Sequence, residues 1–404
     1  MRTILLTAGL STTLAIPTSA LTADSFTTDI AEHGQAPAQF VYDALDEHAL
    51  VIFDDGLHNL EAPWTFFREL IASEAFAMRA RHVFIETWSV NDQPHIDAYL
   101  STYPEDQTLL YPAMQNAAIH GWRYASYIDL LSAIHAFNEN RAGDERLQVH
   151  AVSTPAYWGE IETPADFENY IGIAQSGRDG FMYSAIRRTL DNMSGEERGV
   201  FLTNTRHAYT GLRSRDGQLF WNTATYFAER YPDQTYSIRI NAPFLIIERE
   251  AGDQSSPATG EGLEQIEYRW GRADDGRWDA AFATHQDMPV GIELTGTSFG
   301  ASPYIGNLML NAAPGQSMED VYDGLIHLGP ISEMQTARTF HEIYTPAYRA
   351  EVARRYRNAY TPDDLQTYIE RNGVETLESF IELLAEPDPS APSAQALSLP
   401  ALDD

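Results

Sequence analysis

The segment Val51-Ile-Phe-Asp-Asp-Gly-Leu-His58 changes from apolar residues to two carboxylates and a histidine within one short stretch. Its apolar half predicts a buried strand. A helix pattern follows at once, because apolar residues recur at the spacing of one buried face: Leu60, Trp64, Phe67 and Leu70–Ile71. Acidic and imidazole groups at the carboxyl end of a strand, just before a helix, lie where open α/β sheets place their active sites. The segment therefore predicts an α/β fold and the location of a site within it.

The alternation of strand and helix patterns continues along the rest of the chain. Strand-like runs fall at 48–54, 82–87, 147–152, 199–203, 235–240, 244–249, 289–294 and 323–328. Helical patterns fall at 60–76, 92–101, 111–118, 121–139, 178–193, 217–230, 347–358, 361–371 and 374–385. The polar, Gly- and Ser-rich region 251–263 predicts an exposed loop. This order predicts an α/β fold with a mainly parallel central sheet flanked by helices, with helical insertions and a helical C-terminal region.

Both ends of the chain differ in composition from the part between them. Residues 1–23 combine Arg2, the mostly apolar stretch Ile4–Ile16 and several small residues, which is typical of an export signal peptide. The apolar stretch is too short to cross a bilayer comfortably and no other segment reaches that length, so we expect no membrane insertion. We expect a periplasmic or secreted protein with a single domain at 24–386 and a disordered tail at 387–404.

The composition of the chain excludes several classes of chemistry. It contains no cysteine and no lysine, since all 26 basic residues are arginine. Disulfides, Cys-ligated zinc, Schiff bases and a Walker-type phosphate lysine are therefore excluded. No Gly-x-Gly-x-x-Gly motif follows the first strand, so a nicotinamide or flavin cofactor is not predicted. The net charge of −32 argues against nucleic acid, which requires a basic surface, and we expect a small-molecule substrate instead.

Charged groups stand at the ends of three predicted strands. The first strand ends at Asp54–His58, the second at Glu86 and the fourth at Asn204–His207. Because the carboxyl ends of parallel strands meet at one rim of a sheet, we expect these groups to form a general acid–base pair or a metal site. The alternatives are structural: Asp54 and Asp55 as helix caps, and Glu86 as the partner of an arginine.

The order of these groups resembles a known family. Asp55-Gly-Leu-His58-Asn59 resembles the Glu-x-x-His-Gly motif of the erythromycin-esterase-like proteins, and Glu86 matches their next strand-end glutamate. Arg178-Asp-Gly-Phe-Met182 resembles their Arg-Asp helix opening, and Asn204-Thr-Arg-His207 their His-Asn-x-His run. The resemblance covers roughly residues 45–330 in order and spacing. That family lies within a superfamily that includes the ChaN haem-uptake proteins and the Tiki proteases.

The resemblance implies an esterase-like hydrolase without a cofactor, acting on an ester, a lactone or a related bond. By carry-over, His58 is the general base for water, and Asp55 and Glu86 orient it. His207 is a partner of the substrate or of the oxyanion. The resemblance further implies substrate binding by Arg178, Asn204 and Arg206.

Three positions depart from the family pattern, and each affects a group in the implied site. Asp55 replaces a glutamate and has a shorter reach, Asn59 replaces a glycine, and Asn204 replaces the first histidine of the later pair. The lost histidine puts macrolide specificity in question rather than hydrolysis itself.

Two alternatives come from the same superfamily. A Tiki-like hydrolase would use the carboxylates and imidazoles of the same set as metal ligands, since oxygen and nitrogen donors suit Mn, Zn or Co. The chain has no His-Glu-x-x-His helix, so no metal site is predicted. A ChaN-type protein would bind haem or a metal without catalysis, using an exposed axial ligand and aromatic walls.

A third alternative is a serine hydrolase. Gly296-Thr-Ser298-Phe-Gly300 matches the Gly-x-Ser-x-Gly elbow and follows a strand-like run, with Asp323 and His327 or His341 later in triad order. Pro303 and Gly306 interrupt the helix that should follow the serine. We therefore interpret the motif as a Gly-rich loop lining the same cleft as His58.

Overall fold

A computed structural model describes residues 23–194, 197–248, 267–306 and 312–386. Residues 1–22 of the predicted signal peptide, the predicted loop at 251–263 and the predicted tail at 387–404 lie outside the described residues. The strands are β1 (Leu50–Asp54), β2 (His82–Ser89), β3 (Gln148–Ser153), β4 (Gly199–Thr203), β5 (Thr235–Ile240), β6 (Phe244–Glu248), β7 (Glu267–Gly271), β8 (Val290–Glu293) and β9 (Gly324–His327).

The α-helices are spread along the whole described chain. They are α1 (Ala23–His33), α2 (Pro37–Glu47), α3 (Glu61–Ile71), α4 (Glu74–Ala77), α5 (Gln93–Ser101), α6 (Tyr111–Asn116), α7 (Ala125–Asn138), α8 (Pro164–Thr189), α9 (Thr205–Ala208), α10 (Thr223–Arg230), α11 (Arg277–Thr284), α12 (Ser298–Ala301), α13 (Pro346–Ala359), α14 (Pro362–Arg371) and α15 (Leu377–Leu384). Within the four described ranges, no helix is long and apolar enough to cross a membrane.

The sheet has seven strands in the order β3-β2-β4-β1-β5-β9-β8. All neighbours are parallel except β8, which runs antiparallel to β9. A separate antiparallel ladder joins β6 and β7. The predicted α/β fold with a mainly parallel sheet and flanking helices is therefore confirmed. The order also places the carboxyl ends of β1, β4 and β2 side by side.

The central strands are apolar throughout because both faces of the sheet are covered by helices. Alternate residues of β1 belong to different cores: Val51 and Phe53 pack with residues of α2, α3 and α7. Leu50 and Ile52 pack on the opposite face with residues of α1, α8, α10 and α11. Burial on both sides holds the strand rigidly, so the groups that follow Asp54 leave the sheet at a fixed position.

Helix α8 begins earlier than the sequence pattern predicts. The expected helix started at 178, yet α8 spans Pro164–Thr189. Thr163 accepts from the backbone N–H of Asp166, whose carboxylate reaches back to the Thr163 N–H, and proline opens the first turn. Arg178 therefore lies in the middle of a long helix instead of at its start, and the capping signal at Thr163 marks the true beginning.

The turn after β1 depends on a glycine. Gly56 has a φ of +71°, and a Cβ at this position would lie 2.8 Å from the Cβ of Ala242. Its backbone N–H donates to Oδ1 of Asp54 at 2.8 Å. A left-handed backbone and a close neighbour both favour glycine here, so this residue sets the direction in which the chain carries His58.

Candidate active site

The candidate site is built around the imidazole of His58. Its Nδ1 lies 2.8 Å from Oδ2 of Asp55, and its Nε2 lies 3.2 Å from Oε2 of Glu86. The edge of the ring meets Trp122, with ring centroids 5.4 Å apart. The His58 side chain keeps 12% of its surface exposed, whereas both carboxylates are buried. An imidazole with fixed orientation and one accessible side is suited to proton transfer with a small molecule.

Glu86 is the centre of the ionic contacts. Its Oε1 lies 2.9 Å from Nη2 of Arg178 and 3.3 Å from Nε2 of His207. Its Oε2, the oxygen beside His58, accepts a hydrogen bond from the Thr203 hydroxyl. Because this buried carboxylate is surrounded by donors and cations, its negative charge is compensated within the site.

His207 connects Glu86 to a second aspartate. Its Nδ1 lies 2.7 Å from Oδ1 of Asp179 on α8, and the same oxygen accepts from the backbone N–H and hydroxyl of Thr223, each at 2.8 Å. His207 is buried, while the Asp179 side chain is 24% exposed. The chain Asp179–His207–Glu86 thus ties α8, α9 and the start of α10 to the end of β2.

Arg178 forms a bridge between two strands at the same rim. Its Nε donates to the Ser153 hydroxyl at 3.0 Å, and its Nη2 donates to the backbone carbonyl of Glu86 at 3.2 Å. The side chain is 26% exposed. The guanidinium therefore holds the ends of β3 and β2 together and keeps one side open to solvent.

The ionisation of these groups follows from burial and from their neighbours. Burial raises the pKa of Asp55 to about 6 even though the charge of His58 opposes this. Burial alone would lower the pKa of His58, but Asp55 and Glu86 outweigh it and raise the pKa to about 10. Burial would raise the pKa of Glu86, but His207 and Arg178 hold it well below its usual range. The carboxylates thus favour the charged imidazole.

No protein-family model matches this chain, and no curated protein matches it by sequence. Similar solved structures include a succinoglycan biosynthesis protein, with 7% identity, a TM-score of 0.52, and coverage of 78% of this chain and 98% of the other. They also include an erythromycin esterase, EreC, in its open conformation, with 9% identity, a TM-score of 0.45, and coverage of 71% and 92%.

ChaN of Campylobacter jejuni, with bound haem, is also among the similar structures. It has 8% identity and a TM-score of 0.25, and the match covers 57% of this chain and 90% of the other. At these identities the likeness is one of fold.

The structure brings together most of the residues that the sequence singled out, with one exception. Asp55, His58, Glu86, Arg178, Asn204 and His207 lie in one connected cluster. Arg206 does not join it: its side chain is exposed, and its backbone serves the neighbouring turns. Arg206 and His207 are consecutive residues of the short helix α9, so their side chains point in directions about 100° apart around the helix axis.

Asp54 has a role apart from the cluster. Its buried carboxylate accepts from Arg239 at 2.8 Å, from Tyr322 at 2.6 Å and from Thr205 at 2.9 Å. Neither Asp54 nor Asp55 caps α3, whose first turn follows Leu60 without a side-chain cap. The helix-cap alternative for the two aspartates is therefore wrong, and Asp54 ties β1 to β5 beneath the site.

Several contacting residues were missed by sequence reasoning. Asp179 follows Arg178 directly and was part of the quoted motif, so the Arg-Asp pair itself was the available signal. Thr203 and Ser153 are the last residues of β4 and β3, where the strand-end rule applies to hydroxyls as well as to charges. Trp122 just precedes α7 and Thr223 opens α10; both fall within predicted helices, and helical periodicity alone does not single them out as site residues.

The interpretation of the Ser298 loop as a wall of the same cleft is wrong. Strand β8 runs antiparallel to β9, so the segment after β8 leaves the sheet at the rim opposite to His58. Asp323 and His327 stand at opposite ends of β9, roughly 10 Å or more apart at the rise of a strand. These positions also prevent a triad of Ser298 and Asp323 with His327.

Across the described ranges, no group of three or more His, Asp or Glu side chains is arranged to hold a metal ion. In the cluster, both nitrogens of His58 and His207 lie within about 3.3 Å of protein side chains. The ring nitrogens of both histidines thus face protein side chains.

Proposed function

We propose that this protein is a hydrolase in which His58 activates water for attack on an ester, a lactone or a related bond of a small molecule. The observation that carries the proposal is the fixed, partly exposed imidazole: Nδ1 is held by buried Asp55 at 2.8 Å, and Nε2 is turned toward Glu86. A base that a carboxylate orients through one nitrogen, and whose other nitrogen faces the polar groups of Glu86 and Asn204, is an arrangement suited to water activation.

The reaction moves one proton from water to His58 and then from His58 to the leaving group. Asp55 keeps the imidazole proton on Nδ1, so Nε2 is able to accept a proton from water. As it does so, the water oxygen forms a bond to the carbonyl carbon of the substrate. The tetrahedral intermediate then breaks its bond to the leaving oxygen, which takes the proton from Nε2. The products are a carboxylic acid and an alcohol, and His58 is again neutral.

Arg178 and Glu86 supply the electrostatic part of the proposal. Arg178 is partly exposed beside Glu86, and its Nη1 is not used in the bonds to Glu86 and Ser153. It is therefore suited to stabilise the oxyanion that forms during attack. Oε2 of Glu86 is suited to orient the water, since it lies 3.2 Å from Nε2 of His58.

We infer the location and the substrate class of the enzyme from the sequence. The signal-like residues 1–23 support a periplasmic or secreted location, and the net charge of −32 supports a small-molecule substrate over nucleic acid. The substrate is a compound with a hydrolysable acyl–oxygen bond.

The test is a hydrolysis screen over aryl esters, alkyl esters and lactones with wild type, His58→Ala and the matched control His341→Ala. His341 is exposed and lies outside the cluster. We expect His58→Ala to lose about 10²- to 10⁴-fold in kcat/KM and the control to match wild type. Equal activity of His58→Ala and wild type on every hydrolysed compound would contradict the proposal.

Metal analysis and haem titration of the purified protein separate hydrolysis from the binding alternatives. We expect activity to survive dialysis against a chelator. Loss of a stoichiometric metal together with activity would overturn metal-independent hydrolysis. Tight haem binding without any hydrolysis would favour a ChaN-type function instead.

A further inference from the structure

The proposed base is surrounded by groups that favour its charged form. Asp55 and Glu86 lie within 3.2 Å of the two ring nitrogens of His58, and both carboxylates are buried. A protonated imidazole cannot accept a proton from water. If His58 is the base, another group must favour the neutral ring.

Asn204 directs its amide nitrogen at the reactive side of this ring. Its Nδ2 lies 3.0 Å from Nε2 of His58. Its Oδ1 accepts the backbone N–H of Arg206 at 2.9 Å and so caps α9. Because the cap uses the oxygen, the orientation of the amide is determined and the NH₂ group faces His58. An amide nitrogen is a donor, so its partner must be an unprotonated nitrogen.

We propose that Asn204 is a positioning residue that donates a hydrogen bond to Nε2 of His58 and thereby favours, against the two carboxylates, the neutral ring with its proton on Nδ1. This inference rests on the proposed function, since it explains how a histidine between two carboxylates serves as a base. The position is one where the chain departs from the family resemblance, because asparagine stands in place of histidine.

Several charged or titratable groups lie in and next to the cluster, and of these Asp55 and Glu86 act directly on the pKa of His58. They come from several elements: Asp54 at the end of β1, Asp55 directly after it, Glu86 on β2, Tyr127 on α7, Arg178 and Asp179 on α8, and His207 on α9.

Glu86 competes directly with Asn204, because its Oε2 lies 3.2 Å from the same Nε2 and attracts a proton to it. Thr203 donates to this oxygen, and Arg178 pairs with the other. Both contacts weaken the attraction between Glu86 and a proton on His58. Thr203 and Arg178 therefore make the charged form of His58 less strongly favoured. The hydrogen bond from Asn204 shifts the same protonation equilibrium further toward the neutral form.

The experiment is a pH titration of ¹⁵N-histidine-labelled protein by NMR, with His58 assigned by the loss of its signal in His58→Gln. Asn204→Asp keeps an oxygen for the α9 cap and replaces the donor by an acceptor. We expect it to raise the pKa of His58 by about 1–3 units. Asn204→Ser keeps a capping oxygen and removes the amide NH₂ that faces His58, and we expect a smaller rise. The exposed control Asn372→Asp should leave the pKa unchanged.

The tautomer and the activity give two further measurements. In wild type above the pKa, we expect the proton on Nδ1 and none on Nε2. The ascending limb of kcat/KM against pH should move upward in Asn204→Asp by the same amount as the pKa. An unchanged pKa in both Asn204 variants, or a neutral ring protonated on Nε2, would overturn the inference. Because the NMR titration needs no substrate, it tests the role of Asn204 independently of the hydrolysis screen. A failed screen would contradict the proposed function but not the measured effect of Asn204 on His58.

Discussion

Two histidines stand at carboxyl ends of neighbouring parts of the same sheet, and their surroundings differ. His58 follows β1, contacts two carboxylates and keeps part of its surface exposed. His327 ends β9, is fully buried and stacks on Phe282 with ring centroids 3.9 Å apart. Carboxylates outweigh burial and raise the pKa of His58, whereas burial lowers the pKa of His327 to about 4. A histidine at a strand end is therefore functional or structural according to its neighbours.

The largest expected effect on activity comes from replacing the aspartate that contacts His58. Asp55→Asn removes the charge that orients His58, and we expect kcat/KM to fall by about 10²- to 10⁴-fold. Asp279→Asn is the matched change near His327, because Asp279 reaches that ring through Asn241. Steady-state kinetics should show activity close to wild type for Asp279→Asn. Equal losses in both variants would remove the distinction between the two histidines.

For stability we expect the opposite order: replacing His327 should destabilise the protein more than replacing His58. His327→Ala leaves a hole beside Phe282 in the core, and we expect it to lower the free energy of unfolding by about 3 kcal/mol. His58→Ala removes a partly exposed ring and should cost clearly less. Chemical denaturation of both variants measures the difference. A larger loss in His58→Ala would show that the ionic cluster contributes more to stability than the core contact.

The dependence of stability on pH sharpens the same contrast. The pKa of His327 is about 4 in the folded protein against 6.5 unfolded, so its stabilising contribution is present above 6.5 and lost as the pH falls toward 4. The loss amounts to about 3 kcal/mol. We expect wild type to lose about 2–3 kcal/mol more than His327→Phe between about pH 7.5 and 4.5, measured by denaturation. Parallel curves would contradict a neutral, buried His327.

The pKa of His58 is raised instead, to about 10, so its charged ring contributes stability that is fully present below pH 6.5 and is lost as the pH rises toward 10. The difference between wild type and His58→Ala should therefore shrink on the alkaline side. A difference that shrinks on the acidic side would mean that His58 is neutral through burial, as His327 is.

The smallest effect is expected for Arg206. Its side chain is exposed and lies outside the cluster, so Arg206→Gln should change KM and kcat by less than about twofold. Arg178→Gln is the control with the same chemistry, and it should lower kcat/KM strongly because it removes a partner of Glu86. Kinetics on one ester substrate decide between them. A large change in KM or kcat for Arg206→Gln alone would indicate that Arg206, and not Arg178, binds the substrate.

Sequence periodicity located the strands of the sheet well, because strands buried on both faces are apolar along their whole length. It also located the rim on which Asp55, Glu86 and His207 meet, since parallel strands end at one side. It failed for the start of α8, where a capping box at Thr163 was the relevant signal. It failed again for Ser298, because the direction of β8 cannot be read from its residues.

The amino-acid sequence by itself determined the fold class, the absence of thiol and lysine chemistry, and the strand ends that carry charge. Those properties depend on composition and on local periodicity. The tertiary structure decided which charged groups are partners: Asp55 with His58, Asp54 with Arg239, and Asp179 with His207. These pairs join residues from different elements or from opposite sides of a turn. Their distances follow from the strand order and the backbone of Gly56, which spacing along the chain does not specify.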